Sequence, residues 1–133
     1  MSKIQANLLF RDALEGAFFN KGEACTASSR LLIQRNMYDK FIEKLAAGVK
    51  MIKQGNGLDP KTHVGPQVSR AQKKRILDYI EIGKKEGARI VAQADMPSDP
   101  ELEDGFFAPV TLFADVNEDM RISKEEMFGT VGK

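Results

Sequence analysis

The sequence predicts an α/β fold in which helices pack on a β-sheet. Two long segments carry apolar residues at spacings of three and four, which is typical of a helix with one buried face. Two shorter segments after them, residues 89–93 and 110–114, have the composition of strands. A short helix and a brief apolar run precede these elements, and the resulting order favours helices layered on a sheet.

The length, composition and charge of the chain argue against several classes of protein. The chain has 133 residues, which is the size of one domain. Its composition, 42% hydrophobic and 29% charged residues, is typical of globular proteins. The formal net charge is +1, and the basic cluster at residues 73–75 is interpreted as a solvated helix face, so we expect no nucleic-acid partner. No run approaches the ~20 apolar residues of a membrane span, and the first ten residues lack the features of a secretory signal. We therefore expect no membrane association and a cytoplasmic location.

The first predicted elements surround the single cysteine. Residues 13–20 are rich in Ala, Leu and Phe and predict a helix, which Gly22 should break. Cys25 follows this glycine after two further residues. Residues 31–33 then form a brief apolar run, which we interpret as a buried strand.

The two long helices have recognisable ends. Asn36 can cap the first helix, and Gly55 should end it. Ser69 and Gln72 predict a capping box at the start of the second, in which each side chain bonds to the main chain of the other. Gly87 should end that helix. The buried faces are expected to contain Phe41, Ile42, Leu45, Val49 and Ile52 in the first helix, and Ile76, Tyr79, Ile80 and Gly83 in the second.

One cysteine and one histidine limit the chemistry of the chain. No internal disulfide and no Cys/His zinc site can form, so we expect no metal site. His63 lies in a polar stretch and is interpreted as a loop residue. Cys25 alone allows two interpretations, because a free cysteine is often an inert core thiol. Small neighbours would nevertheless let the backbone turn tightly and a substrate approach the sulfur: Gly22, Ala24, Thr26, Ala27 and Ser28.

The residues around Cys25 form a motif whose likeness to a known family continues through the chain. FFNKGEACTA at residues 18–27 resembles the active-site cysteine signature of the aldehyde dehydrogenase superfamily, with an aromatic residue, then Gly, Gln or Glu, any residue, and Cys followed by small residues. Similar segments follow in the right order: SRLLIQ at 29–34, YDKF at 38–41, LDPKT at 58–62, GP at 65–66 and YIEIG at 79–83. EEMFG at 125–129 is similar to the family's Glu-Glu-hydrophobic-Phe-Gly-Pro segment, with Thr130 in place of the proline.

The resemblance implies an NAD(P)-dependent enzyme with a covalent mechanism. Cys25 would attack an aldehyde as a thiolate, with help from its own main-chain amide, and the thiohemiacetal would lose a hydride before water cleaves the thioester. Glu126 would hold the hydroxyls of the nicotinamide ribose, and Phe128 would lie against the nicotinamide end of the cofactor. Without Cys25, the segment around Glu126 would instead be interpreted as an acidic loop followed by a core phenylalanine.

The same resemblance implies one part of a larger enzyme. Residues 1–133 would form part of the three-layer catalytic domain, without the dinucleotide-binding domain, the C-terminal remainder, the glutamate that activates water, or the asparagine of the oxyanion site. The cofactor is expected to be NAD or NADP. The chain by itself is expected not to oxidise aldehydes at a useful rate. Uncovered sheet edges and apolar faces favour a homo-oligomer or self-association.

Two other functions are compatible with the sequence. The chain could be a non-catalytic binding module that pairs with a full-length relative, which co-purification with that relative would support. Alternatively, Cys25 could be a redox-sensing thiol without aldehyde chemistry. Reversible oxidation at low peroxide, with no aldehyde adduct, would favour that function.

Overall fold

The structure, a computed structural model, describes residues 3–133, with side chains from Leu8 onward. Its helices are α1 (Lys3–Phe18), α2 (Tyr38–Lys50), α3 (Arg70–Lys85) and the short α4 (Arg121–Lys124), and its strands are β1 (Arg89–Gln93), β2 (Thr111–Ala114) and β3 (Val131–Gly132). Short 3-10 turns occur at Phe19–Gly22, Arg35–Met37 and Pro100–Leu102. None of the helices in this part of the chain combines the length and the apolar character that crossing a bilayer requires.

β2 is the central strand of a three-stranded sheet with the order β1-β2-β3. β1 runs antiparallel to β2, with Arg89 opposite Ala114 and Gln93 opposite Thr111. β3 runs parallel to β2, with Val131 opposite Thr111. All four residues of β2 are buried, as expected for a strand covered on both faces.

The core has two halves, one on each face of the sheet. Neighbouring residues of a strand point to opposite faces, and Leu112 and Phe113 of β2 accordingly lie in different clusters. Leu112 packs with residues of α1 and α2: Phe18, Phe41, Leu45 and Val49. Phe113 packs with residues of α3 and α4: Ile76, Ile80 and Ile122. Helices therefore cover both faces of the sheet, and the predicted α/β fold is confirmed.

The ends of the first two helices differ from the predicted ones. α1 ends at Phe18 rather than at residue 20, because the backbone of Asn20 is already left-handed, with a φ of 47°. The predicted cap at Asn36 is wrong, since Asn36 lies inside the 3-10 turn that runs directly into α2. The capping position is instead Met37, whose side chain makes no capping hydrogen bond. α2 also ends earlier than predicted, at Lys50.

The strand predicted at residues 31–33 is not formed. Only two main-chain hydrogen bonds join this segment to the end of β3: the N–H of Leu31 donates to the carbonyl of Lys133 (2.8 Å), and the N–H of Lys133 donates to the carbonyl of Ser29 (2.9 Å). Leu32 is fully exposed. Because pairing is limited to one partner residue, the segment is not a strand of the sheet.

The boundaries of α3 and of the strands after it follow the sequence closely. The hydroxyl of Ser69 accepts the N–H of Gln72 at 3.1 Å, as a helix cap should. The predicted buried face of α3 is confirmed at Ile76, Tyr79, Ile80 and Gly83. Gly87 follows the helix with a φ of 92°, which residues with a side chain rarely adopt, and so ends it. β1 has the predicted bounds, and β2 begins one residue later than predicted.

Candidate active site

Cys25 lies in a loop that begins with three left-handed residues. α1 ends at the buried Phe18, and Asn20, Lys21 and Gly22 then have φ values of 47°, 66° and 71°. The first two values are uncommon for residues with a side chain, so the surrounding structure holds this turn in place. Cys25 follows the turn and is exposed to solvent. Its interpretation as a buried core thiol is therefore wrong.

The main-chain N–H beside this thiol is available for a ligand. Within residues 3–133 the N–H of Cys25 donates to no main-chain carbonyl. A ligand oxygen that lies against this N–H would accept a hydrogen bond from it. Such a donor can stabilise negative charge that develops on the oxygen.

The second loop of the site connects α4 to β3 and carries Glu126 and Phe128. Met127 between them is buried in the core, whereas both neighbours are exposed. Glu126 takes part in none of the ion pairs among the described residues. Phe128 is 41% exposed and has a φ of 55°. An exposed aromatic ring on strained backbone is typical of a functional site, so the interpretation of Phe128 as a core residue is wrong.

The two loops enclose one small pocket of about 30 Å³, in which Cys25, Glu126 and Phe128 all take part. The loops touch at Gly22 and Gly129, where a side chain on Gly22 would overlap the carbonyl oxygen of Gly129. Only glycine permits so close an approach of two main chains. The structure thus brings together, from distant parts of the chain, the three residues that the sequence singled out.

Side chains of α3 hold the carbonyl groups of the Glu126 loop. Arg75 donates to the carbonyl of Glu126 at 2.6 Å. The side chain of Gln72 donates to the carbonyls of Met127 (3.2 Å) and Phe128 (2.7 Å). The predicted capping box is therefore only half formed, because the Gln72 amide reaches this loop and not back along its own helix. Arg75, predicted to be merely solvated, is likewise bound to the loop.

Two further side chains fix the Cys25 loop. Oε1 of Glu23 accepts the N–H of Val68 at 3.1 Å, and its Oε2 lies 3.4 Å from Nζ of Lys21. Arg30 donates through Nε to the carbonyl of Ser123 at 2.7 Å. These contacts of Glu23 and Arg30 leave no local pattern in the sequence, because their main-chain partners are 45 and 93 residues away.

His63 lies in the loop before α3, as predicted. Its Nδ1 accepts the N–H of Lys53 at 2.9 Å, a contact within that loop. No group of three or more His, Cys, Asp and Glu side chains suited to a metal ion occurs in the described part of the chain.

Glu125, next to Glu126, belongs to a polar cluster between α3 and α4. Its two oxygens accept hydrogen bonds from Arg121 (2.9 and 3.0 Å), and Oε2 also accepts one from the hydroxyl of Tyr79. These contacts, that of Arg121 first, lower the pKa of Glu125 from 4.5 to about 2. Glu125 is therefore engaged in holding the fold, whereas its neighbour Glu126 is available to a ligand.

We expect Glu125→Gln to reduce the acid dependence of stability. A carboxylate with a depressed folded-state pKa stabilises the fold above its ordinary pKa of 4.5, and this contribution is lost as the pH falls towards 2. The difference in free energy of unfolding between the original chain and the variant should be constant above about pH 5 and should shrink towards about pH 2. Urea unfolding over this range measures it, and a difference independent of pH would contradict the coupling.

The described residues form an α/β fold in which two loops bring an exposed cysteine, Glu126 and Phe128 into one pocket. Comparison with known proteins gives the family. The sequence pattern of the aldehyde dehydrogenase family matches residues 2–132. The chain belongs to the aldehyde dehydrogenase family, which confirms the resemblance seen in the sequence.

Individual relatives agree with this assignment. An aldehyde dehydrogenase of Didymella fabae is 62% identical over 121 residues, which are 91% of this chain and 24% of that protein. The betaine aldehyde dehydrogenase of Bacillus subtilis is 40% identical over 134 residues, or 94% of this chain and 27% of that protein. The chain thus spans about a quarter of the length of the curated relatives it matches.

Solved structures show the same fold. The betaine aldehyde dehydrogenase of Staphylococcus aureus in complex with NAD+ superposes with a TM-score of 0.89 at 39% identity, over 95% of this chain and 25% of that one. The NAD+ complex of an aldehyde dehydrogenase from Bacillus cereus gives a TM-score of 0.87 at 38% identity, over 96% of this chain and 25% of that one.

Proposed function

We propose that this chain is the cysteine-bearing part of the catalytic domain of an NAD(P)-dependent aldehyde dehydrogenase, which oxidises an aldehyde to a carboxylic acid. The pocket in which Cys25, Glu126 and Phe128 meet carries the proposal. Family membership supports it. Residues 1–133 would supply the nucleophile and the ribose-binding carboxylate, and other parts of the enzyme would supply the dinucleotide-binding domain and the base.

Cys25 would be the nucleophile. Its thiolate forms a bond from Sγ to the carbonyl carbon of the aldehyde, and the carbonyl oxygen becomes the oxyanion of a thiohemiacetal. The N–H of Cys25 can donate to this oxygen, and a donor of this kind lowers the barrier by about 3 kcal/mol. A bound nicotinamide cofactor would supply the acceptor for the hydride of the former carbonyl carbon, and loss of this hydride would leave a thioester on Sγ. Attack of water on the thioester, with one proton of the water taken by the base that other parts of the enzyme supply, then releases the carboxylic acid and the thiolate.

Glu126 and Phe128 fit the nicotinamide ribose end of the cofactor. The carboxylate of Glu126 is exposed, and its main chain is already held by Arg75, so little reordering is needed when a ligand binds. A carboxylate can accept hydrogen bonds from two neighbouring hydroxyls. The ring of Phe128 offers an apolar surface to the flat nicotinamide. NAD and NADP share this end, so the proposal covers both.

The proposed partners are a small-molecule aldehyde and further copies of the enzyme. Exposed apolar side chains support self-association: Phe19, Leu32, Met51, Leu58 and Val68. A catalytic thiol has to stay reduced, which favours a cytoplasmic location.

The test is a segment exchange. We would replace the matching segment of the Bacillus subtilis betaine aldehyde dehydrogenase, which is 40% identical, by this chain, and measure reduction of NAD+ and NADP+ with a panel of aldehydes. We expect aldehyde-dependent reduction by this exchange enzyme. The chain by itself is expected to show none, not even a first burst. A folded exchange enzyme that is inactive with every aldehyde of the panel would contradict the proposal.

A further inference from the structure

The carbonyl groups of residues 123–128, which lead from α4 into the Glu126 loop, each accept a hydrogen bond from a side chain of another segment. The last three are bound by two side chains of α3. The first two are bound by Arg30, whose Nε donates to the carbonyl of Ser123 at 2.7 Å and whose Nη2 donates to that of Lys124 at 3.4 Å. The loop is therefore fixed through its main chain, from α3 at one end and by Arg30 at the other.

Arg30 belongs to the segment that follows the Cys25 loop, and the main chain on both sides of it is fixed. Its neighbours Ser29 and Leu31 are hydrogen-bonded to the main chain that follows β3, at 2.9 and 2.8 Å. Arg30 comes five positions after Cys25, and its second acceptor comes two positions before Glu126. Its side chain therefore extends from a fixed base near the thiol to the start of the loop that carries the carboxylate.

The chemistry of this contact suits a fixed connection. The last carbonyl groups of a helix have no partner within that helix and carry partial negative charge. Arg30 takes part in none of the ion pairs among residues 3–133, so its charge is available to the end of α4. The planar guanidinium presents its donors in a set geometry and can bind two carbonyls at once.

The Cys25 loop has fixing contacts of its own. The carboxylate of Glu23 accepts a main-chain N–H at 3.1 Å, and the N–H of Ser28 donates to a carbonyl of α1 at 2.8 Å. Neither contact involves Arg30. Loss of the Arg30 side chain should therefore release the start of the Glu126 loop and leave the thiol in place.

We propose that Arg30 is a positioning residue of the nicotinamide ribose site, which keeps Glu126 at a fixed separation from Cys25. The inference rests on the proposed function, because it assumes that Glu126 binds this ribose. Arg30 acts on the cofactor only through the Glu126 loop. Without Arg30, the loop is correctly placed in a smaller fraction of molecules, and the apparent affinity for the cofactor falls by that fraction.

The experiment compares Arg30→Met and Glu126→Gln, singly and combined, in the exchange enzyme. We expect Arg30→Met to raise KM for the cofactor about tenfold, the effect of one hydrogen bond from a charged donor. KM for the aldehyde and the rate of Cys25 alkylation should stay within about twofold, because the thiol keeps its own contacts. In the Glu126→Gln background, Arg30→Met should change KM for the cofactor little, since it acts through a carboxylate that is no longer present.

Arg30→Lys and Arg89→Met are the companion variants. Lysine keeps the charge but lacks the fork that binds both carbonyls, so KM for the cofactor should rise about threefold, and this variant decides the question if Arg30→Met does not fold. Arg89 donates to Asp115 at 2.7 Å and lies in β1, at the opposite edge of the sheet from β3. Arg89→Met should therefore leave both KM values unchanged.

The outcomes separate the inference from the function on which it rests. A folded exchange enzyme that is inactive, or whose KM for the cofactor does not respond to Glu126→Gln, would overturn the proposed ribose site and this inference with it. A KM for the cofactor that rises with Glu126→Gln but with neither Arg30 variant would overturn the inference alone. Arg30→Met raising that KM by the same factor in both backgrounds would do so too, because a purely structural role is independent of Glu126.

Discussion

Cys25→Ser is expected to lower the rate of aldehyde oxidation by the exchange enzyme by about 10³-fold or more, as loss of a covalent nucleophile does. A serine hydroxyl is almost entirely protonated at neutral pH, whereas a thiol is partly ionised and is intrinsically the better nucleophile. Cys25 is exposed, so the substitution removes the sulfur without opening a cavity in the core. Steady-state kcat and kcat/KM, measured with saturating cofactor, should fall together.

Thr26→Ser is the matched control for this experiment. Thr26 is exposed, directly follows Cys25 and does not line the pocket, so its change should leave kcat within about twofold, as for a surface substitution. Equal losses in the two variants would point to a damaged loop. Activity retained in Cys25→Ser would exclude Cys25 as the nucleophile.

Gly22→Ala is expected to be the most damaging single methyl addition near the pocket. The left-handed conformation costs a residue with a side chain about 1–2 kcal/mol, and the overlap with Gly129 adds about 1–3 kcal/mol, because main chain cannot move aside as a side chain can. Relief of the overlap would separate the Cys25 loop from the Glu126 loop. A displacement of about 1 Å between reacting groups can lower the rate about 10²-fold, so we expect kcat of the exchange enzyme to fall by this factor.

Gly87→Ala separates the two causes. Gly87 is also left-handed, with a φ of 92°, but a side chain there would meet no atom within 4 Å. The substitution should therefore cost only the conformational part, about 1–2 kcal/mol in urea unfolding, and leave kcat unchanged. If Gly22→Ala and Gly87→Ala proved equally destabilising and equally active, contact between the two loops would have no role in catalysis.

Local signals in the sequence predicted local structure well. The hydroxyl of Ser69 caps α3, the left-handed Gly87 ends it, and residues 89–93 form β1, because a cap, a glycine or a strand pattern acts over a few residues. Cys25, Glu126 and Phe128 were found through a family motif, and the structure places them in one pocket. Their roles as nucleophile and cofactor-binding residues stay predictions.

The structural features that the sequence did not predict depend on contacts between residues far apart in the chain. Residues 31–33 have the composition of a strand, but a strand also needs a partner strand of similar length. Local composition does not predict whether such a partner strand exists. Gln72 fits a capping box by its spacing from Ser69, yet its amide binds carbonyls 55 and 56 residues away. No feature of the sequence predicts that the buried amide of Gln67 is unpaired among the described residues, because its pairing depends on which polar groups surround it in the folded chain.

The hydrogen bonds from α3 to the Glu126 loop should restrict amino-acid changes in α3 more than changes at Met127 of the loop. Gln72 and Arg75 bind main-chain carbonyls, which every amino acid possesses, so a change of side chain at Met127 leaves these hydrogen bonds intact. A change at Gln72 or Arg75 removes them. In homologues, variation should therefore be tolerated at Met127 more readily than at these two helix positions, and Met127 and Gln72 should show little co-variation although they are in direct contact.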